Sequence, residues 1–352
     1  MKILTLIGTR PELIRLSVIL KKLDKLCNHI IVYTNQNYEI NLSLLFFEEL
    51  SIRKPNYIFS QTSTGEFLGR GFIEFEKILN TEKPDKVLVL GDTNSGLLSI
   101  LATKRGIPVY HMEAGNRCFD GHLPEELNRR LIDTASKYNL PYTENAKQNL
   151  LREGYHKNFV FKIGNPIREV LQYYDVQILS SSILSQLKLT VGYVLLTLHR
   201  AENVNHISCL QRIVEAINKI AEEVPVVYSF HPHTKDQLQK YGIKFSDKVR
   251  LIEPVGFFDF VKLEMGSTVI LTDSGTVPEE ASILHIPTIV LRNTTERQEL
   301  MENGSLILAG TNTENILYAY QNIQEMKMDW DKLDDYSKLN VSDTVIRLLI
   351  GT

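Results

Sequence analysis

Apolar positions fall into short runs, many of them β-branched, separated by longer stretches whose apolar residues recur at helical spacing. KILTLIG, HIIVYT, KVLVLGD, IPVYHME and FVFKIGN precede residue 166, and YVLLTLHR, VPVVYSFHP, VRLIEPV, STVILTDSG and PTIVLRN follow it. Runs of this length with little polar alternation fit strands buried on both faces. Strands that alternate with helical stretches predict a parallel sheet with helices on both sides, an α/β fold. The alternation pauses in the helical, serine-rich segment REVLQYYDVQILSSSILSQL and then restarts, which places a domain boundary near residues 165–190.

The residues that break the pattern sit at the ends of the apolar runs. GTRPE follows the first, GDTNSG the third, MEAGNRCFD the fourth, and HRAEN, TDSGT and RNTTERQE follow runs of the second half. In doubly wound domains ligands bind at the carboxyl ends of the strands, so the expected active site is the cleft between two domains.

Each cluster has a plain reading beside a functional one. GTRPE is a glycine turn with Pro11 in a helical first turn, and it lacks the GxGxxG spacing of a dinucleotide site. Asp92 suits a helix cap, and Thr276 with Glu279 has capping-box spacing, which leaves Glu280 unexplained. Ser274 and Gly275 at a helix start suit a phosphate. In HLPEELNRRLIDTA, at roughly 100° per residue, Leu127, Leu131, Thr134 and Tyr138 share one stripe and Glu125, Asn128, Arg129 and Ile132 the opposite one. The second stripe is either a solvated face, with Glu125 and Arg129 as an i,i+4 pair, or part of a site, because the helix directly follows the Glu113 loop.

The chain has 352 residues, 43% of them apolar, and a formal charge of -3. That balance argues against a nucleic-acid or membrane-surface binder, so any bound anion must be met by local arginines. Three scattered cysteines, Cys27, Cys118 and Cys209, form neither a disulfide framework nor a zinc site, and a reducing cytoplasm is the expected compartment. Cys118 reads as a packed residue rather than a nucleophile. MKILTLIGTRPE reads as a buried strand rather than a signal peptide, and no apolar stretch approaches the roughly 18 residues of a membrane span. His199, His231 and His233 lack zinc-ligand spacing, so no metal is expected; His199 and Arg200 read as a pair facing phosphates.

Taken as an ordered set, GTRPE (8–12), GDTNS (91–95), MEAGNR (112–117), PEELNRR (124–130), HRAEN (199–203), TDSGTVPEE (272–280) and RNTTERQE (292–299) resemble the non-hydrolysing UDP-N-acetylglucosamine 2-epimerase family. The resemblance implies two Rossmann-like domains in the glycosyltransferase-B arrangement, over residues 1–170 and 171–335, with a final helix, 336–352, packing back on the first. It implies a UDP-linked 2-acetamido sugar as substrate, inverted at C2, with no cofactor, a homodimer, and a place in capsule or O-antigen synthesis. Asp92, Glu113 and Glu125 match the family's acids and join His199 as the expected catalytic set. Arg10, His199, Ser274 and Arg297 match positions that hold the UDP phosphates, Glu280 matches the ribose-binding residue, and Arg129 one that orders the site.

Departures point to a branch. Arg15 replaces the usual lysine, TNQNYE (34–39) replaces a TxQHR segment tied to substrate activation, and EAGNRCFD replaces EAGLR. These changes are similar to UDP-N-acetyl-L-fucosamine synthases, although Ala201 and Gln298 differ from that branch too. The expected product is therefore UDP-N-acetyl-L-fucosamine, without substrate activation; UDP-N-acetylglucosamine epimerisation is the alternative. A glycosyltransferase of the same architecture would show no C2 proton exchange, a hydrolysing relative would release free sugar, and a silent sensor would not need clustered carboxylates, which are costly to desolvate.

Overall fold

The computed structural model describes every residue except 37–39, 61–63, 327–328 and 352, so Asn37, Tyr38 and Glu39 of the departing TNQNYE segment lie outside the described residues. The chain forms two compact units, one of residues 1–173 with 334–352 and one of residues 174–333. Each unit carries a six-stranded sheet, and every strand pairing is parallel.

In the first unit β1 (Lys2–Ile7), β2 (Asn28–Tyr33), β3 (Tyr57–Ile58), β4 (Lys86–Leu90), β5 (Val109–Met112) and β6 (Tyr138–Leu140) lie in the order β3-β2-β1-β4-β5-β6. In the second, β7 (Tyr193–Thr197), β8 (Val226–Ser229), β9 (Val249–Ile252), β10 (Ser267–Thr272), β11 (Thr288–Val290) and β12 (Leu306–Leu308) lie in the order β12-β11-β10-β7-β8-β9. All five residues of β4 and of β7 are buried, as strands covered by helices on both faces require.

Both orders reverse direction at the centre, between β1 and β4 and between β7 and β10. Loops leaving the carboxyl ends of two such strands run to opposite sides and open a crevice, the usual ligand position in a doubly wound sheet. GTRPE and GDTNSG flank the first switch point; HRAEN and TDSGT flank the second.

The expected strand at FVFKIGN does not form. Lys157–Phe159 makes a turn of 3-10 helix, Val160 keeps only an isolated bridge to Asn139, and the amide of Phe161 donates to the Asn139 carbonyl at 2.9 Å. The sixth place in the sheet goes to β6, whose three residues are too short to stand out as an apolar run. Tyr138 accordingly belongs to β6 and not to the preceding helix, which stops at Ala135 with Ser136 extended.

The C-terminal helix Val341–Gly351 packs on the helix Arg10–Leu26 of the first unit. Lys22 Nζ donates to Asp343 Oδ1 at 2.5 Å and to Ser342 Oγ at 2.7 Å, Glu169 accepts from the Ser342 amide at 2.8 Å, and the buried Lys86 Nζ reaches the Leu349 carbonyl at 2.7 Å.

Candidate active site

In the first unit, the turn after β1 is fixed by its own motif. Glu12 accepts from the Gly8 amide at 2.6 Å and from Thr9 Oγ1 at 3.1 Å, holding the start of the helix Arg10–Leu26 against the strand end. Gly8 is required by contact, since a Cβ there would lie 1.9 Å from Ser95 Oγ in the GDTNSG loop. Burial lifts the Glu12 carboxyl to about 7, against the opposing pull of donors from Gly8, Thr93 and Thr9, with Asp92 adding repulsion. Arg10, in the first turn, lays its guanidinium 4.6 Å from the centre of the Phe46 ring.

Asp92 is not a helix cap. Its Oδ2 accepts from Arg129 Nε at 2.8 Å and lies 2.8 Å from Arg129 Nη2, while its carbonyl accepts from Asn128 Nδ2 at 2.9 Å. Glu113 follows β5 with φ 68°, a left-handed conformation that is strained for a residue with a Cβ and is concentrated at functional sites. One of its oxygens accepts from Asn116 Nδ2 at 3.2 Å and the other stands 4.0 Å from Arg15 Nη1, whose side chain is buried. Glu125 sits half-buried in the first turn of the helix Pro124–Ala135.

That helix overturns the solvated-face reading. Asn128, Arg129 and Ile132 are buried, whereas Leu127 is 62% and Leu131 41% exposed. The polar stripe faces inward because it serves a continuous charge network. Arg129 Nη1 pairs with Glu126 at 3.2 Å, Arg130 links Glu126 at 3.1 Å to Glu153 at 2.9 Å, and Arg117 Nη2 bridges Glu153 at 2.6 Å and Asp133 at 2.8 Å. Asp133 then bonds His111 Nδ1 at 2.8 Å, and His111 Nε2 meets the Gly91 carbonyl at 2.9 Å, one residue before Asp92. Burial works to raise the Glu126 carboxyl, but the Cys118 amide and thiol with Arg129 and Arg130 hold it below its ordinary value. Cys118 is a packed thiol in this network, pushed up chiefly by burial.

The second unit uses a different device. Asp273, fully buried after β10, accepts from the His199 amide at 3.0 Å, the Arg200 amide at 2.8 Å and Asn203 Nδ2 at 3.2 Å, and its Oδ1 lies 3.3 Å from His199 Nδ1. Asn203 Nδ2 also donates to the Leu291 carbonyl at 2.9 Å, so one carboxylate fastens the loops after β7, β10 and β11. The His199 ring stands 5.6 Å from that of His231. At Gly275 a Cβ would meet Glu296 Oε1 at 2.5 Å and Arg200 Nη2 at 3.2 Å, which places the Arg200 guanidinium against the Ser274–Gly275 turn.

Thr276 and Glu279 do not form a capping box. Thr276 is the cap without a side-chain bond, and its hydroxyl pairs with Ser274 Oγ at 3.2 Å. Glu279 instead pairs with the buried Arg297 at 2.5 Å, a demand stronger than capping because a buried guanidinium needs a counter-charge. Glu280, one residue on, is buried. Among the described residues no group of three or more His, Cys, Asp or Glu is arranged to hold a metal, and no helix is long and apolar enough to cross a membrane.

Sequence reading placed acids and arginines at the strand ends but passed over Glu12, Glu126, Asp133 and Asp273, which hold those residues in place. A signal existed for each. All four lie inside the quoted motifs or within four residues of them.

The sequence profile described as UDP-N-acetylglucosamine 2-epimerase matches residues 21–350. Over 363 aligned residues the chain is 41% identical to a protein of Methanocaldococcus jannaschii named UDP-N-acetylglucosamine 2-epimerase, covering 99% of both. A crystal structure of the Methanocaldococcus jannaschii UDP-GlcNAc 2-epimerase in complex with UDP-GlcNAc and UDP superposes with a TM-score of 0.93, covering 99% of both chains. The chain is also 39% identical, over 88% of both lengths, to a Pseudomonas aeruginosa UDP-2,3-diacetamido-2,3-dideoxy-D-glucuronate 2-epimerase.

Proposed function

The chain belongs to the UDP-N-acetylglucosamine 2-epimerase family, and from that premise we propose that it inverts C2 of a UDP-linked 2-acetamido sugar. The observation that carries the proposal is the placing of Asp92 and Glu113 at strand ends of one sheet, each beside a buried arginine, with Glu113 held in a strained backbone.

The C2 proton of such a sugar is not next to a carbonyl, and removing it directly would be very slow. Breaking the C1–O bond draws positive charge onto C1 and acidifies that proton. UDP departs with the bonding electrons, a carboxylate takes the proton, and a 2-acetamidoglycal remains. Returning a proton to the other face of C2 and UDP to C1 completes the inversion, with no net change in atoms or charge. We assign proton transfer and charge stabilisation collectively to Asp92, Glu113 and Glu125, with Arg129 and Arg15 beside the first two. His199, Arg200, Ser274, Gly275, Arg297 and Arg10 are assigned to the diphosphate, where amides and cations offset the charge of the leaving group. Glu280 is assigned to the ribose hydroxyls.

For the sugar itself, kinship at 41% identity with an enzyme named for UDP-N-acetylglucosamine favours that substrate. EAGNRCFD and Arg15 favour the second reading, a UDP-6-deoxy-L-talosamine derivative giving UDP-N-acetyl-L-fucosamine. The family kinship is also the ground for proposing a cytoplasmic homodimer that feeds surface-polysaccharide synthesis. Incubating the protein with each UDP-sugar and separating the products tests the reading. An epimer of one sugar nucleotide is expected; release of UDP with free sugar would make the protein a hydrolase, and UDP binding without conversion would refute the epimerase assignment.

A further inference from the structure

Glu264 is a fully buried carboxylic acid with no part in the chemistry above. It lies in the last turn of the helix Phe257–Gly266, which packs against the helix Val277–Leu284 that carries Glu280. Neither Glu264 oxygen accepts an N–H or O–H from any described residue, yet its carboxyl lies within hydrogen-bond reach of the Glu280 carboxyl. Apolar side chains from both helices, Leu263 and Phe260 on one and Val277 and Ala281 on the other, crowd the same region.

Two buried carboxylates in contact cannot both be ionised; the charge of one and the burial of both force a shared proton. Burial first, and Glu280 second, push Glu264 well above the ordinary carboxyl range. Among the described residues, the titratable group that faces Glu264 from the other elements packed on this helix is the Tyr193 hydroxyl. It donates to the Leu263 carbonyl at 2.6 Å and is itself raised by burial and then by Glu264. The helices Asp175–Ser180 and Ile183–Gln186 and strand β10 place no charged side chain against it.

We propose that Glu264 is a positioning residue that stays protonated and donates its O–H to one oxygen of Glu280, fixing the Glu280 carboxylate so that its other oxygen accepts the ribose hydroxyls of a uridine nucleotide. This rests on the assignment of Glu280 to the ribose. A single neutral donor leaves the Glu280 charge intact; an apolar residue at 264 removes that donor, and a cation there would neutralise the charge.

The test compares the wild-type protein with Glu264→Gln, which keeps an N–H donor, and Glu264→Leu, which removes it. Calorimetry with UDP and with its 2′,3′-dideoxy analogue reads the ribose contact. Glu264→Gln should stay within about threefold of wild type for UDP, while Glu264→Leu weakens UDP by about tenfold and leaves the dideoxy analogue unchanged. Equal weakening of both ligands, equal damage by Gln and Leu, or no loss in Leu would overturn the proposal. Wild type binding UDP and the analogue equally would instead overturn the ribose assignment.

A second readout needs no nucleotide. The folded pair holds a proton that the unfolded chain has released above the ordinary carboxyl range, so wild-type stability should fall relative to Glu264→Gln as pH rises through and above that range. A constant difference between the two across that range would overturn the shared proton.

Discussion

The two switch points solve the same topological problem with opposite chemistry. After β1, β4 and β5 the loops are held by ion pairs, and carboxylates remain poised between arginines and strained backbone: Asp92 against Arg129, Glu113 near Arg15. After β7 and β10 a single buried carboxylate, Asp273, gathers backbone amides, and the side chains left at the turn are His199, Arg200 and Ser274. Carboxylates paired with arginines suit proton transfer, whereas fixed amides and cations suit an anion that must be held and released. On the proposed reading the acid–base work falls to the first unit and the diphosphate to the second, with Arg10 of the first unit joining it.

The sharpest way to break this contrast is Glu113→Gln. Removing a general acid–base group should lower kcat by about a thousandfold and leave the UDP dissociation constant within about twofold, as steady-state kinetics beside calorimetry would show. A matching loss of UDP affinity would erase the division of labour.

Next in size is a pH effect confined to the first unit. The Glu12 carboxyl stands at about 7 in the folded protein against 4.5 as its ordinary value. A raised folded value means that its contribution to stability is full below about 4.5 and is lost as pH climbs through 7. The loss amounts to about 3 kcal/mol, and Glu12→Gln should remove it. Urea midpoints for both proteins at the two ends of the range would show whether the variant's slope is smaller by that amount.

Asp273→Asn attacks the second unit in turn. Its amide would face donors from His199 and Arg200, so UDP affinity should drop about thirtyfold, with C2 proton chemistry on bound substrate little changed in single-turnover assays. Gly275→Ala is the mildest. The new methyl must displace Glu296 or Arg200, and a tenfold rise in the UDP dissociation constant, roughly 1.4 kcal/mol, is expected without loss of thermal stability.

The fold was legible where physics is local. Long apolar strands such as β1, β4, β7 and β10 announce themselves because both faces are buried. The edge strands β3, β6 and β12 have two or three residues each and depend on a neighbour's register, which no periodicity reveals. At the site, the motif residues were legible as breaks in pattern, but their partners were not. On spacing Arg129 suits either a pair with Glu125 or a place in the site, and tertiary contact joins it to Asp92, 37 residues away. Glu279 satisfied a capping pattern, yet buried Arg297 claimed it. Asp273 drew no reading of its own from the sequence, and the sheet order brings it beside the His199 and Arg200 amides.

The most direct test of the account is proton NMR in D2O, following the C2 proton of UDP-N-acetylglucosamine and of UDP-N-acetyl-L-fucosamine with the wild-type protein and with Glu113→Gln. The account requires deuterium to enter C2 of one sugar nucleotide with wild type and at least a hundredfold more slowly with the variant. Retention of the C2 proton in both sugars while UDP binds, or unslowed exchange in the variant, would contradict it.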